Sequence, residues 1–166
     1  MEELNTIIMF KELENNITEF KVTNLYKDNW NDEYEALNLS VNDKSAKSRL
    51  AKKTPKKKGY FLTLWQKDQE NNNTPYNYSE FKDLLIVNIL DENHKGQFVF
   101  PKEVLAERSI LRTNEYNGKM AFRVYPTWED NLNVSATKAQ RWQSRYFHDL
   151  THVRDLKKIK SLYFDN

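Results

Sequence analysis

Apolar residues Leu4, Ile7, Ile8, Phe10, Leu13, Ile17 and Phe20 recur mostly three or four positions apart over residues 2–20. That spacing predicts an amphipathic helix, interrupted near Asn15-Asn16. Residues 24–33 are polar and read as a connection. Leu37, Leu39 and Val41 then alternate with polar neighbours, the pattern of a half-buried strand. A further extended piece is expected around residues 48–51, because Thr54-Pro55 forbids a continuous helix there. Gly59 opens the aromatic and β-branched run 60–65, a strand, and residues 67–78 form a polar, Asn-rich loop. The apolar run 84–90 predicts a central strand, joined through the turn 91–96 to a second strand at 97–100 as a hairpin. Pro101 stands where a short helix over 102–108 would begin. Asn117-Gly118 predicts a turn, and 121–125 a strand stopped by Pro126. Ser135 is the expected cap of a last helix, in which Ala136, Ala139, Trp142, Tyr146 and Leu150 hold helical spacing to about residue 160. No internal repeat is evident. The order predicts one α+β domain over 1–166, with helices at both ends and a mostly antiparallel sheet, open or curled into a pseudobarrel.

The chain has 166 residues, 39% of them apolar and 13% aromatic, enough for a real core despite 30% charged residues. It has no cysteine, which excludes disulfides and thiolate metal sites and suits a reducing compartment. No apolar run reaches membrane-spanning length, and Met1-Glu2-Glu3 lacks a signal core, so a cytoplasmic setting is expected.

Charge changes the picture more. The formal net charge is only +2, yet residues 44–58 carry eight bases and no acid. The 43 residues before that run hold ten acids and three bases. A concentrated cationic patch attracts polyanions whatever the overall charge, because a phosphate chain feels the local field. DNA or RNA is therefore the expected partner, held by Arg49, Lys52, Lys53, Lys56, Lys57 and Lys58 in a basic loop spanning 47–58. Tyr60 and Trp65, just beyond it, offer a stacking surface for an exposed base. A solvated lysine-rich loop is the plain alternative. Lys138, Arg141 and Arg145, three and four apart, form a second cationic ridge, which is also how the wet face of any amphipathic helix reads. Gln140 and Gln143 beside it are amides able to read base edges. Arg123, between apolar Phe122 and Val124, points to the opposite face from theirs. It either joins Lys52, Lys56 and Lys119 in a phosphate cluster or pairs with an acid such as Asp83 or Glu103.

Catalytic signals are weaker. His148 and His152 lie four apart, a zinc-ligand spacing on a helix, but lack the adjacent glutamate of the metalloprotease motif. Glu80-Phe81-Lys82 with Asp83, and Glu19-Phe20-Lys21, fit the loose acid-x-lysine string of metal-dependent nucleases. Three glycines cannot make a phosphate-binding P-loop. The pattern calls for no cofactor and no metal, and the alternative classes are a divalent-metal nuclease or a protein–protein interaction module.

Taken together, Arg49, Ala51-Lys52, Thr54-Pro55-Lys56, residues 59–65, residues 96–105, Gly118-Lys119, residues 123–126 with Trp128, and residues 140–143 with Tyr146-Phe147 resemble the MepB-like family of bacterial proteins. The resemblance covers about residues 34–147, with Lys53 at a position where an aliphatic residue is usual. The family has no established enzymatic activity, so the resemblance points to none in particular. Members lie beside genes for a multidrug efflux transporter and its repressor in some bacteria, which implies an accessory role. The stretch 98–105 is similar, more distantly, to DNA-gripping pseudobarrels of restriction-enzyme effector domains and plant B3 factors, an analogy of fold alone.

Overall fold

The apolar run at residues 84–90 becomes the middle of a six-stranded sheet, and the reason is visible in its alternation. A computed structural model describes residues 3–151 and 155–165. Helix α1 (Asn5–Asn16) precedes strands β1 (Val22–Lys27), β2 (Leu37–Val41) and β3 (Lys44–Leu50). Short strands β4 (Lys52–Lys53), β5 (Tyr60–Thr63), β6 (Trp65–Lys67) and β7 (Asn73–Pro75) follow. The hairpin β8 (Leu84–Leu90) and β9 (Lys95–Pro101) leads into α2 (Lys102–Glu107), β10 (Ala121–Val124), α3 (Val134–Gln143), β11 (Phe147–Asp149) and α4 (Leu156–Phe164).

The main sheet runs β1-β2-β3-β8-β9-β11. All its pairings are antiparallel except β3 with β8, which are parallel and joined by a crossover through β4–β7. Odd and even positions of β8 point to opposite faces. Leu84 and Ile86 therefore meet α1 and α4, while Leu85, Val87 and Ile89 meet the other layer. That other layer consists of the three-stranded sheet β10-β5-β4, the pair β6-β7, and helices α2 and α3. Each Leu, Val or Phe fully buried in either layer stabilises the fold by roughly 1.5–3 kcal/mol. The expected hairpin and the helix start at Pro101 are both present.

Several expectations change: β1 takes up the first part of the expected connection 24–33, and β7 lies within the expected loop 67–78. The sheet does not close into a barrel; β1 and β11 remain its edges. The expected long last helix ends at Gln143, turns through a single 3-10 turn at Ser144–Tyr146, and gives way to β11. Phe147 and His148 both need burial, on opposite faces of a sheet edge, and only a strand provides that. The cap of α3 is Asn133, whose side chain accepts from Ala136 N, and not Ser135. His148 is thus a strand residue, and His152, four positions on, lies outside the described residues.

A buried polar ladder crosses the sheet beneath α4. Asn88 donates to Ser48 Oγ (2.8 Å) and to the Arg49 carbonyl (3.0 Å), and Gln97 donates to Asn88 Oδ1 (2.8 Å). Gln97 Oε1 accepts from Tyr163 (2.6 Å) and from His148 Nε2 (3.1 Å). Burial, helped by the charge of Lys158, pushes the His148 imidazole down to about 3. In the unfolded chain it takes a proton near the ordinary value of about 6.5. Below that pH the unfolded state gains a proton that the folded state refuses, so stability falls as pH drops from about 6.5 towards about 3, at roughly 1.4 kcal/mol per unit. Urea unfolding between pH 7.5 and 4.5 should show this slope, and a His148→Gln variant should lack it.

Candidate nucleic-acid interface

The basic run meets three different fates, decided by strand periodicity. Lys47 and Arg49 lie two apart on β3 and point to the same, inward face. Arg49 is fully buried: its guanidinium donates to Asp28 Oδ2 (3.1 Å), Asn31 Oδ1 (3.3 Å), and the carbonyls of Thr63 (3.3 Å) and Ser48 (3.1 Å). Lys47 donates to the same Asp28 oxygen (2.8 Å) and to Asn38 Oδ1 (3.0 Å), with the Tyr76 ring 4.9 Å away. Burial alone would raise the Asp28 carboxyl, but the hydrogen bond from Lys47 and the charges of Arg49 and Lys47 hold it below the usual carboxylate value. Burial pulls Lys47 down, with Asp28 opposing. The expected surface contact Arg49 is therefore an interior residue.

Lys52 and Lys53 form β4 and are exposed, but they face the neighbourhood of other groups. The Lys52 ammonium lies 5.3 Å from the Tyr34 ring centre, and Lys53 is 3.4 Å from Asp91. Tyr60 is buried and its hydroxyl hydrogen-bonds Asp91, so it offers no stacking face. Asp91 is held down to about 2: its burial is outweighed by hydrogen bonds from Tyr60 and from the Asn93 and His94 amides, and by the charge of Lys53.

Lys56, Lys57 and Lys58 sit in the exposed turn between β4 and β5. Arg123 on β10 straps that turn. It donates to the Lys58 carbonyl (3.2 Å) and to Thr54 Oγ1, and its guanidinium lies 5.6 Å from the Phe61 ring centre. Neither Asp83 nor Glu103 pairs with it. Asp83 instead accepts from Ser45 N (3.0 Å) and Oγ (3.3 Å). Gly59 closes the turn at φ +80°, where a Cβ would sit 2.7 Å from the Tyr125 ring and a side chain is strained. Lys58 reaches across to the Asp130 carbonyl (2.7 Å).

Helix α3 is laced to β10 and the loop after it by its glutamines. Gln143 donates to the Arg123 carbonyl (2.9 Å) and accepts from Tyr125 N (2.8 Å); Gln140 donates to the carbonyls of Pro126 and Glu129 (both 3.0 Å). These amides are spent on backbone rather than available to bases. Their anchoring sets α3 beside the strapped turn and creates a furrow in three adjoining parts. One part, about 480 Å³, is lined by Lys56, Lys57, Lys58 and Arg123 beside the start of α3. The next, about 280 Å³, shares Arg123, Tyr125 and Ser135 with the first and adds Lys119 and Arg108. The third, about 520 Å³, shares Arg108 and Trp142 with the second and adds Lys138, Arg141 and Arg145. Nine bases line the furrow against one acid, Glu107.

The structure thus gathers Lys56, Lys57, Lys58, Lys119, Arg123, Lys138, Arg141 and Arg145 along one furrow, and leaves out Lys52, Lys53 and Arg49. Arg108 belongs to the furrow and was not anticipated. Its guanidinium stacks 5.1 Å from the Trp142 ring centre, and only its place at the end of α2 could have signalled it. Glu80 is exposed on a 3-10 turn, and Glu19 pairs with Lys160 at 3.0 Å. Among the described residues no three His, Asp or Glu side chains converge to hold a metal ion.

A family model described as MepB-like matches residues 28–149. A crystal structure of MepB is similar at 43% identity and a TM-score of 0.80, over 91% of this chain and all of that one. A bacterial homing endonuclease is similar at 13% identity over 81% of this chain and 84% of that one, with a TM-score of 0.45, too low to carry an argument. No curated protein matches.

Removing a buried counter-charge strands what it neutralised. Asp28→Asn should leave Lys47 and Arg49 uncompensated and destabilise the protein by about 3–5 kcal/mol in urea unfolding.

Proposed function

The chain belongs to the MepB-like family, and we propose that it is a non-catalytic nucleic-acid-binding protein that lays a phosphate backbone along the furrow beside α3. The observation that carries this reading is the charge of that furrow: nine basic side chains and one acid, contributed by the β4–β5 turn, α2 and the residue that ends it, β10 and the segment before it, and α3 with the turn that follows it. A surface-charge excess kept only for solubility has no need of a strapped turn. Here Arg123 and Gly59 hold the backbone of the turn in place, so its lysines project from a fixed path rather than a loose tail. Ordering them beforehand reduces the entropy lost on binding.

The chemistry favours backbone contact over base reading. Trp142, Tyr125, Phe122 and Tyr146 line the furrow, and Arg108 already stacks against the Trp142 ring. Gln140 and Gln143 are occupied by backbone groups. What remains accessible is cationic, which neutralises phosphates without reading sequence.

Fluorescence anisotropy with labelled duplex and single-stranded oligonucleotides at several salt concentrations tests this. Each phosphate contact on a duplex contributes about −0.9 to the log–log salt slope. Replacing Lys57, Lys58, Arg141 and Arg145 by Ala should weaken binding for every sequence alike and flatten the slope by about 3–4. Unchanged affinity in that variant would remove the furrow as the interface. A Lys52→Ala/Lys53→Ala variant, outside the furrow, should change the slope little.

A further inference from the structure

A second cleft, separate from the furrow, opens over β1–β3 and has a volume of about 280 Å³. Asp28, Asn38, Lys47, Tyr76 and Lys82 line it, with Trp30 at its side. Lys47 is 7% exposed and Arg49, directly behind, is 0% exposed, yet the two share a single carboxylate, Asp28. A buried charge is tolerated when it is matched. Here two cations meet one anion, and the excess is increased by Lys82 at the cleft wall and by Lys27. The acid at that wall, Glu80, is exposed and bonds neither buried cation.

The neutral donors point the same way. Because Asn38 Oδ1 accepts from Lys47, the amide nitrogen of Asn38 faces away from it, and it has no protein acceptor among the described residues. Lys82 likewise has none. The Tyr76 ring closes the side of Lys47. Lys27, Lys47 and Lys82, with Arg49 behind them, thus outnumber the two carboxylates of the cleft, Asp28 and Glu80, and the Asn38 amide adds a free donor.

We infer that this cleft is a binding site for a phosphate-sized oxyanion, which supplies the second negative charge that Lys47 and Arg49 lack. The same chemistry is met by free phosphate and by the terminal phosphate of a nucleotide chain. Lys47 and the Asn38 amide would hold the oxygens, and Lys82 would close over them. The inference does not rest on the furrow reading.

Isothermal titration of the full chain with inorganic phosphate, against sodium chloride of equal ionic strength, tests it. Saturable phosphate binding is expected. It should be about 10-fold or more weaker in Lys47→Met, a loss of roughly 1.4 kcal/mol or more. It should be several-fold weaker in Lys82→Ala. Lys47→Met also removes the excess charge and leaves Asp28 paired with Arg49, so its unfolding midpoint in the absence of phosphate should not fall substantially. If that variant fails to fold, Lys82→Ala, at the cleft wall, supplies the reading. A 5′-phosphorylated dinucleotide and its 5′-hydroxyl counterpart separate the two sources. A chain end is the ligand if only the phosphorylated form binds and inorganic phosphate does not, provided the binding is lost in the cleft variants. The inference is overturned if no phosphate species binds saturably. It is equally overturned if binding is unchanged in both cleft variants, or is lost instead in a Lys57→Ala/Arg141→Ala furrow variant.

Discussion

The contact on which the two layers depend is the buried guanidinium of Arg49. It is rooted in β3 of the main sheet, yet its donors reach Asp28 and Asn31 in the β1–β2 connection and the Thr63 carbonyl at the end of β5. Asn31 in turn accepts from Trp65 N (3.1 Å) and donates to the Trp65 carbonyl (3.2 Å). One planar cation with five donors thus pins the sheet to the layer above it. A lysine at that position could not span the same set of acceptors. Arg49 spends its charge on architecture, and the position of β5 follows from it. From β5 follow the turn before it and the strand β10 paired to it, which together form one end of the furrow.

Charge in this protein is therefore divided by depth. Lys47 and Arg49 are inside, matched in part by Asp28, where a low dielectric makes every pairing consequential. Lys56, Lys57 and Lys58 are outside, where water screens them and only a polyanion gathers their effects together. Arg123 belongs to both regimes: its hydrogen bonds fix the turn, and its guanidinium borders the furrow. The bases of one run of sequence end up both inside and outside because the backbone changes from strand to turn at Thr54-Pro55.

Much of the fold was legible in the chain. The alternating burial of residues 84–90 and 97–100 is written in their side chains, and Pro101 marks the helix start without help from distant contacts. The tail was not. Ala136, Ala139, Trp142 and Tyr146 keep a helical period, and Leu150 extends it by coincidence, since Phe147 is claimed by the edge of the main sheet. Of the candidate site, the lysines of the turn and of α3 were legible because solvated charges advertise themselves. Arg49 was misplaced because an inward arginine reads the same as an outward one until its acid is known. That acid, Asp28, lies in a stretch that reads as a mere connection.

The parallel pairing of β3 with β8 has a further meaning when the chain is considered as it is synthesised. Helix α1 and the β1–β2–β3 meander emerge before β8, and that partner of β3 follows only after the crossover of residues 51–83. Until then β3 is an open edge, with unpaired amides and carbonyls that invite a second chain to add a strand. Lys47 and Arg49 lie in the middle of that edge. Charged side chains on an unfinished strand act as gatekeepers against wrong pairing. The two cations that anchor the finished molecule are also the ones that keep the nascent sheet from joining a neighbour before its own eighth strand arrives.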